Sequence, residues 1–167
     1  MHIRKESEKD IPGVHHVNES AFETDAEAKL VDTLRDQVQA TISLVADDVG
    51  EIVGHIMFSP VTLSGHTRLK LMGLAPMAVL PEHQNKGIGT ELVKAGLEEC
   101  KRLGFGAVVV LGHPGYYPRF GFLPSSRFGI RCEYDVPEDV FMIKELQEGY
   151  LDGITGIIKY HTAFSSL

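Results

Sequence analysis

The chain has 167 residues, and 16 lysines and arginines against 23 aspartates and glutamates give it a formal charge of −7. That length suits one domain, which buries about 70% of the surface its unfolded chain exposes. With 43% hydrophobic and 23% charged residues, the composition is that of a soluble globular protein and excludes the disordered and membrane-spanning classes. The acidic balance, with no run of five like charges, argues against sequence-independent nucleic-acid binding, which needs clustered Lys and Arg.

Cys100 and Cys132 are far apart and form no CxxC pair, so neither a disulfide scaffold nor a thiolate zinc site is expected. The start, Met1-His2-Ile3-Arg4-Lys5-Glu6, lacks the apolar stretch of a signal peptide. No apolar segment approaches the roughly 20 residues of a membrane-spanning helix. A cytoplasmic location, with no membrane partner, is the expectation.

Ile3 to Lys5 predicts a first strand. Ser7 and Asp10 have the spacing of a capping box, and Ile11, Val14, Val17 and Ala21 follow at helical spacing. Thr24 and Glu27 repeat the box ahead of Leu30, Val31 and Leu34 on a second helix. Ile42–Ala46, the turn Asp47-Asp48-Val49-Gly50 and Ile52–Phe58 predict a hairpin. After Ser64-Gly65-His66-Thr67, another strand is expected around Leu71 to Val79. A helix from near Gly89 to Leu103 should follow, carrying Leu92, Val93, Gly96, Leu97, Cys100 and Leu103 on one apolar stripe and stopped by Gly104. Ala107–Leu111 is an unbroken apolar run, the mark of a strand covered on both faces. Further strands are expected near 128–133 and 141–145, and the chain closes at 154–164. Strand–helix–strand order implies local parallel pairing, so the fold class is α/β or α+β with a mixed rather than purely parallel sheet.

The most informative segment is Gln84-Asn85-Lys86-Gly87-Ile88-Gly89-Thr90. It lies between a strand and a helix N-terminus, where backbone N–H groups converge and the helix dipole favours an anion. A plain solvated Gly-rich turn would read the same way. A Walker A loop is excluded because Lys86 precedes Gly87 and no Gly-Lys-Ser/Thr ending follows. A Rossmann fingerprint is excluded because Leu92 stands where the third glycine belongs.

The segment does match the Q-x-x-G-x-G signature of acetyl-coenzyme A binding, and the chain resembles the GNAT superfamily of N-acetyltransferases. The matching stretch begins at Leu74-Ala75-Pro76-Met77-Ala78-Val79 and continues through Gln84–Thr90 to Leu111. It reaches Gly115-Tyr116-Tyr117-Pro118-Arg119-Phe120-Gly121-Phe122, which looks like the family's second cofactor segment. The Tyr-Tyr-x-Arg-Phe-Gly-Phe block also resembles a subgroup of bacterial predicted acetyltransferases. The resemblance implies a mostly antiparallel sheet with one splayed parallel strand pair, flanked by helices, over a single domain spanning 1–167.

It further implies that the backbone of Met77, Ala78 and Val79 faces the pantetheine arm and that the N–H groups of Gln84 to Thr90 (Gln84, Asn85, Lys86, Gly87, Ile88, Gly89, Thr90) receive the pyrophosphate. A backbone N–H near Val79 would stabilise the oxyanion. Tyr117 aligns with a general acid toward the coenzyme A sulfur, and a phenol near 10 is reasonably matched to a thiol near 8.5. Tyr116 and Arg119 are cofactor-lining candidates. For the base, Glu23, Asp25 and Glu27 lie in the helix-connecting region that forms acceptor sites in the family, and they equally suit ordinary helix-start acids. His113 stands at the end of the apolar strand and titrates in the useful range. No acidic residue lies on 70–79, where some members carry a glutamate.

The remaining histidines show no metal-ligand spacing, and no metal is expected. The reading is an acetyl-coenzyme A-dependent N-acetyltransferase acting on a primary amine of a small molecule or protein, by direct attack in a ternary complex. A non-catalytic acyl-coenzyme A sensor of the same fold and a nucleotide-binding regulator are the alternatives. Dimers are common in the family, and the C-terminal strands are placed to pair across subunits in a homodimer.

Overall fold

The structure, a computed structural model, describes residues 1–165 and 167. In chain order it contains β1 (His2–Lys5), α1 (Ile11–Ala21), α2 (Ala26–Gln37), β2 (Ile42–Asp48), β3 (Glu51–Leu63) and β4 (His66–Val79). There follow α3 (Ile88–Arg102), β5 (Ala107–Leu111), β6 (Leu123–Pro124), β7 (Ile130–Cys132), β8 (Phe141–Glu145) and β9 (Gly156–Lys159). The sheet runs β1-β2-β3-β4-β5-β8-β6, with β9 joined to both β3 and β7. Pairing is mostly antiparallel; β4–β5 and β7–β9 are parallel. The mixed α/β class is therefore the one expected. β4 starts at His66, before the expected Leu71, and the two-residue β6 is too short to leave a periodic signal. No helix among the described residues is long and apolar enough to cross a membrane.

The chain packs as two compact units, one of residues 1–59, 75–99 and 162–167, the other of residues 60–74 and 100–161. In the first, β1, β2 and the start of β3 form an antiparallel ladder whose tight turn places Val49 and Gly50 at φ of 51° and 91°. β3 buries both faces. A Cβ on Gly96 of α3 would strike the Phe58 ring, and one on Gly54 would meet Ile88 and Leu92, so Gly54 and Phe58 face α3. His55, on the opposite face, meets α1: Asn18 donates from Nδ2 to His55 Nδ1 at 3.0 Å and also to the Val14 carbonyl at 3.0 Å. Since Nδ1 accepts, Nε2–H donates to Ser43 Oγ at 2.8 Å. Burial, and then the charge of Arg35, pushes His55 down to about 3, so the ring is neutral at physiological pH.

The two expected capping boxes behave differently. At the first, Asp10 Oδ2 accepts from the Ser7 N–H at 2.7 Å and hydroxyl at 2.9 Å, opening a short 3-10 turn into α1. Asp10 is also gripped by Arg4 at 2.6 and 2.9 Å, and this pairing holds its carboxyl well below the usual carboxylate range. At the second, the box does not close: Asp25 occupies the N-cap position, Thr24 Oγ1 accepts from Ala26 N–H at 3.2 Å, and Glu27 Oε1 has no partner.

In the second unit Val61, Leu63, Leu71, Ala107, Val109, Ile130, Phe141, Ile143, Leu151 and Ile158 form one hydrophobic core. Ala107–Val110 is almost wholly buried, as the apolar run demands. The Tyr150 ring packs over Gly106, where a Cβ would collide with it, and its hydroxyl accepts from Lys70 N–H at 2.7 Å.

Candidate active site

The parallel ladder of β4 and β5 pairs Leu71–Leu74 with Ala107–Val110 and stops there, while β4 runs on to Val79. Along that extension Ala78 and Leu80 are buried and Met77 and Val79 half-buried, the alternation of a strand. Leu80 N–H donates to the Val53 carbonyl at 2.9 Å, and the Gln84 side chain donates from Nε2 to the Val79 carbonyl at 3.0 Å. Gln84 therefore ties the turn to the strand end through its side chain, a role the spacing alone did not reveal.

The turn itself is exposed from Gln84 to Gly87. Asn85 and Gly87 are left-handed, at φ of 63° and 84°, which curls the backbone in the way that makes successive N–H groups converge. Nothing lies within 4 Å of where a Gly87 Cβ would stand. α3 begins at Ile88, one residue before the expected start, and its first-turn bond runs from Glu91 N–H to the Gly87 carbonyl at 3.1 Å. Gly89 and Thr90 thus sit in the first turn, where orphan amides and the positive end of the dipole suit an anion. Lys86 is exposed beside them.

In the other unit, residues 112–122 build an aromatic cluster. Tyr117 is only 8% exposed. Its ring lies edge-on to Tyr116 at 5.1 Å and Phe122 at 5.7 Å, and packs on Gly112 where a Cβ would collide with it. Burial, reinforced by Tyr116, pushes the Tyr117 phenol up to about 12. The expected match to a thiol near 8.5 is therefore loosened, because a phenol out of water resists becoming phenolate. Arg119 stacks on the Tyr116 ring at 4.4 Å and donates from Nε to the Tyr116 carbonyl at 2.9 Å.

His113 is exposed, its Nδ1 accepts from Gly115 N–H at 2.9 Å, and its carbonyl accepts from Tyr116 N–H at 3.0 Å. It thus shapes the turn that presents the tyrosines. Glu23 is exposed in the connection between α1 and α2. Within the units, the structure joins Met77–Val79 to the Gly turn and gathers His113, Tyr116, Tyr117 and Arg119 on one segment. Among the described residues, no group of three His, Cys, Asp or Glu is placed to hold a metal.

The sequence profile described as an Acetyltransferase (GNAT) domain matches residues 2–124. The chain belongs to the GNAT acetyltransferase family. As a GNAT member it is an acyltransferase. It is 40% identical over 166 residues to the Escherichia coli K12 uncharacterized N-acetyltransferase YhbS, covering 99% of each chain. The crystal structure of Escherichia coli YhbS in complex with CoA superposes with a TM-score of 0.93 at 38% identity, over 98% of this chain and 91% of that one. A GNAT acetyltransferase from Brucella melitensis in complex with acetyl-CoA superposes with a TM-score of 0.80 at 34% identity, over 98% and 97%.

Proposed function

We propose that this GNAT protein transfers the acetyl group of acetyl-coenzyme A to a primary amine, by direct attack of the amine on the thioester in a ternary complex. The observation that carries this reading is the strand–turn–helix of 75–90, with two left-handed residues opening a helix straight after a strand that outruns its ladder. The similar YhbS and Brucella melitensis structures, solved with CoA and acetyl-CoA, support it.

In this reading the backbone of Met77, Ala78 and Val79 lies along the pantetheine arm. The N–H groups from Gln84 to Thr90, with Lys86 adding charge, take the pyrophosphate. An anion is thereby held by backbone dipoles inside a protein whose own charge is −7. Met77 to Val79 also supplies the N–H that steadies the tetrahedral oxyanion. As the N–C bond forms and the C–S bond breaks, negative charge collects on sulfur. The Tyr117 hydroxyl, kept neutral by burial, donates a hydrogen bond to that sulfur. Full transfer from a phenol near 12 to a thiolate whose acid is near 8.5 is uphill by about 1.4 kcal/mol per pKa unit, so the donor role is favoured over complete protonation. Tyr116 and Arg119 line the same cofactor, and His113 and Glu23 are candidate proton acceptors for the ammonium.

Calorimetry with acetyl-coenzyme A and with ATP tests the cofactor. Binding of the first and not the second is expected, and binding of ATP alone would replace this reading with a nucleotide regulator. Thiol release over a panel of amines tests transfer; cofactor binding without release for any amine would make the protein an acyl-coenzyme A sensor.

A further inference from the structure

The two units carry their charge differently. In the first, acids are matched by cations: Arg4 with Asp10 and Asp47, Arg35 with Glu6 and Asp32, and Lys5 with Glu99. In the second, residues 133–152 hold seven acidic side chains and one basic one, Lys144, so nearly all of the −7 charge gathers there. Among the described residues, Glu133, Asp135, Glu138 and Asp139 have no ion-pair partner. A charge run by itself is a solvated face, but this one surrounds a built cavity. The cavity measures about 410 Å³, within the range of ligand pockets. Its inner side is apolar, with Ile130 1% and Phe141 2% exposed, and the exposed Glu133, Asp135 and Glu138 stand around it. Tyr134 also lines it, its ring packed on Tyr160 at 5.8 Å.

A second observation is a hydroxyl. Ser125 lines the same cavity and is only 6% exposed, yet its Oγ has no hydrogen-bond partner among the described residues. A sheltered hydroxyl without a partner is costly, and one that borders a cavity is satisfied by what enters it. Glu133 is held in place, since its Oε1 accepts from Tyr160 N–H at 2.8 Å and its own N–H donates to the Ile158 carbonyl at 3.1 Å. The one cation lining the cavity, Arg131, is exposed and offsets only one of the three carboxylates. The cavity thus offers several acceptors around an apolar wall and beside a tyrosine. A guanidinium matches this best, with five N–H donors in one plane, a face that stacks on aromatic rings and weak hydration. An ammonium is a compact, strongly hydrated charge that gains less from such walls. A second cavity of about 340 Å³, lined by Pro124, Ser126, Glu138 and Asp139, shares Ser126 and Glu138 with the first. Two adjoining acidic cavities exceed what one arginine neutralises, which favours a peptide with neighbouring basic residues over a free amino acid.

We propose that the cavity of residues 125–141 docks an arginine side chain from a basic peptide segment of a partner protein, with a second cationic side chain in the adjoining cavity. The guanidinium is held there and receives no acetyl group, so the site stands apart from the acceptor and does not depend on the acetyltransferase reading. The test is calorimetry on the full chain at low salt with acetyl-Ala-Arg-Arg-Ala-amide, which has no primary amine. Its citrulline and lysine counterparts and free argininamide are run beside it. The arginine peptide should bind and the citrulline peptide should not, while the lysine peptide and argininamide should bind about fivefold or more weakly. Glu138→Gln, at the wall shared by both cavities, should weaken the arginine peptide about fivefold or more, and Ser125→Ala about threefold. Glu148→Gln makes the same charge change outside both linings and should leave affinity within about twofold. Acetyl-coenzyme A affinity should stay unchanged throughout. No binding, equal binding of the citrulline or lysine peptide, unchanged affinity in Glu138→Gln, or an equal loss in Glu148→Gln would overturn the proposal. Argininamide binding as tightly as the peptide would overturn the peptide partner.

Discussion

The turn at 84–90 and the aromatic segment at 112–122 use opposite materials. The turn is exposed and made of backbone, its chemistry set by the φ angles of Asn85 and Gly87 and by the helix start. The aromatic segment is made of side chains, its chemistry set by how tightly Gly112, Tyr116 and Phe122 enclose the Tyr117 phenol. A backbone site tolerates changes of side chain but not of φ. A buried hydroxyl tolerates modest backbone change but not the loss of one oxygen or of the packing that dries it.

Mutations should separate the two. The largest effect is expected from Tyr117→Phe, which should lower kcat on the order of 10²-fold while calorimetry shows unchanged acetyl-coenzyme A affinity. Equal turnover would remove the side-chain half of the contrast. Gly87→Val should weaken acetyl-coenzyme A binding about tenfold or more, through the strained positive φ of 84° and a side chain standing where the cofactor approaches. Retained affinity would mean that the pyrophosphate lies elsewhere.

Gly112→Ala should act as a milder version of the first change. Its methyl would strike the Tyr117 ring, costing about 1–3 kcal/mol in denaturant unfolding and lowering kcat several-fold with little effect on cofactor affinity. The smallest signal is in pH. With the phenol raised to about 12, no loss of kcat from Tyr117 ionisation is expected between pH 7 and 10. The same shift makes the neutral phenol stabilising below its unfolded pKa near 10, and that contribution is lost as pH rises from 10 toward 12. Tyr117→Phe should lack this alkaline loss when unfolding is followed across that window.

The same contrast explains which features could be read from residue order. Strands, helices and the Gly turn rest on periodicity and local backbone chemistry, so Ala107–Leu111, the α3 stripe from Leu92 to Cys100 and the Ser7–Asp10 box appear where expected, whereas Leu103 lies past the end of α3 and is exposed. The Thr24–Glu27 box carries the same local pattern and does not form. There α2 starts at Ala26, so Asp25 rather than Thr24 stands at the N-cap position, and Glu27 Oε1 is sheltered without a partner. Asn18, His55 and Ser43 gave no local signal either, since their hydrogen bonds join residues far apart in the chain. The shift of Tyr117 was equally hidden, because desolvation depends on Gly112 and Phe122 closing around it.

Sequence alone determined the mixed α/β class, the family resemblance and the position of the Gly-rich turn that opens α3, because glycine spacing and helix polarity act within a few residues. Only tertiary structure decided which acidic residue of the α1–α2 region is sheltered, that Gln84 clamps the end of β4, and how far the phenol of Tyr117 is from water. Those outcomes depend on burial and on donors brought from distant segments, and neither exists until the chain has packed.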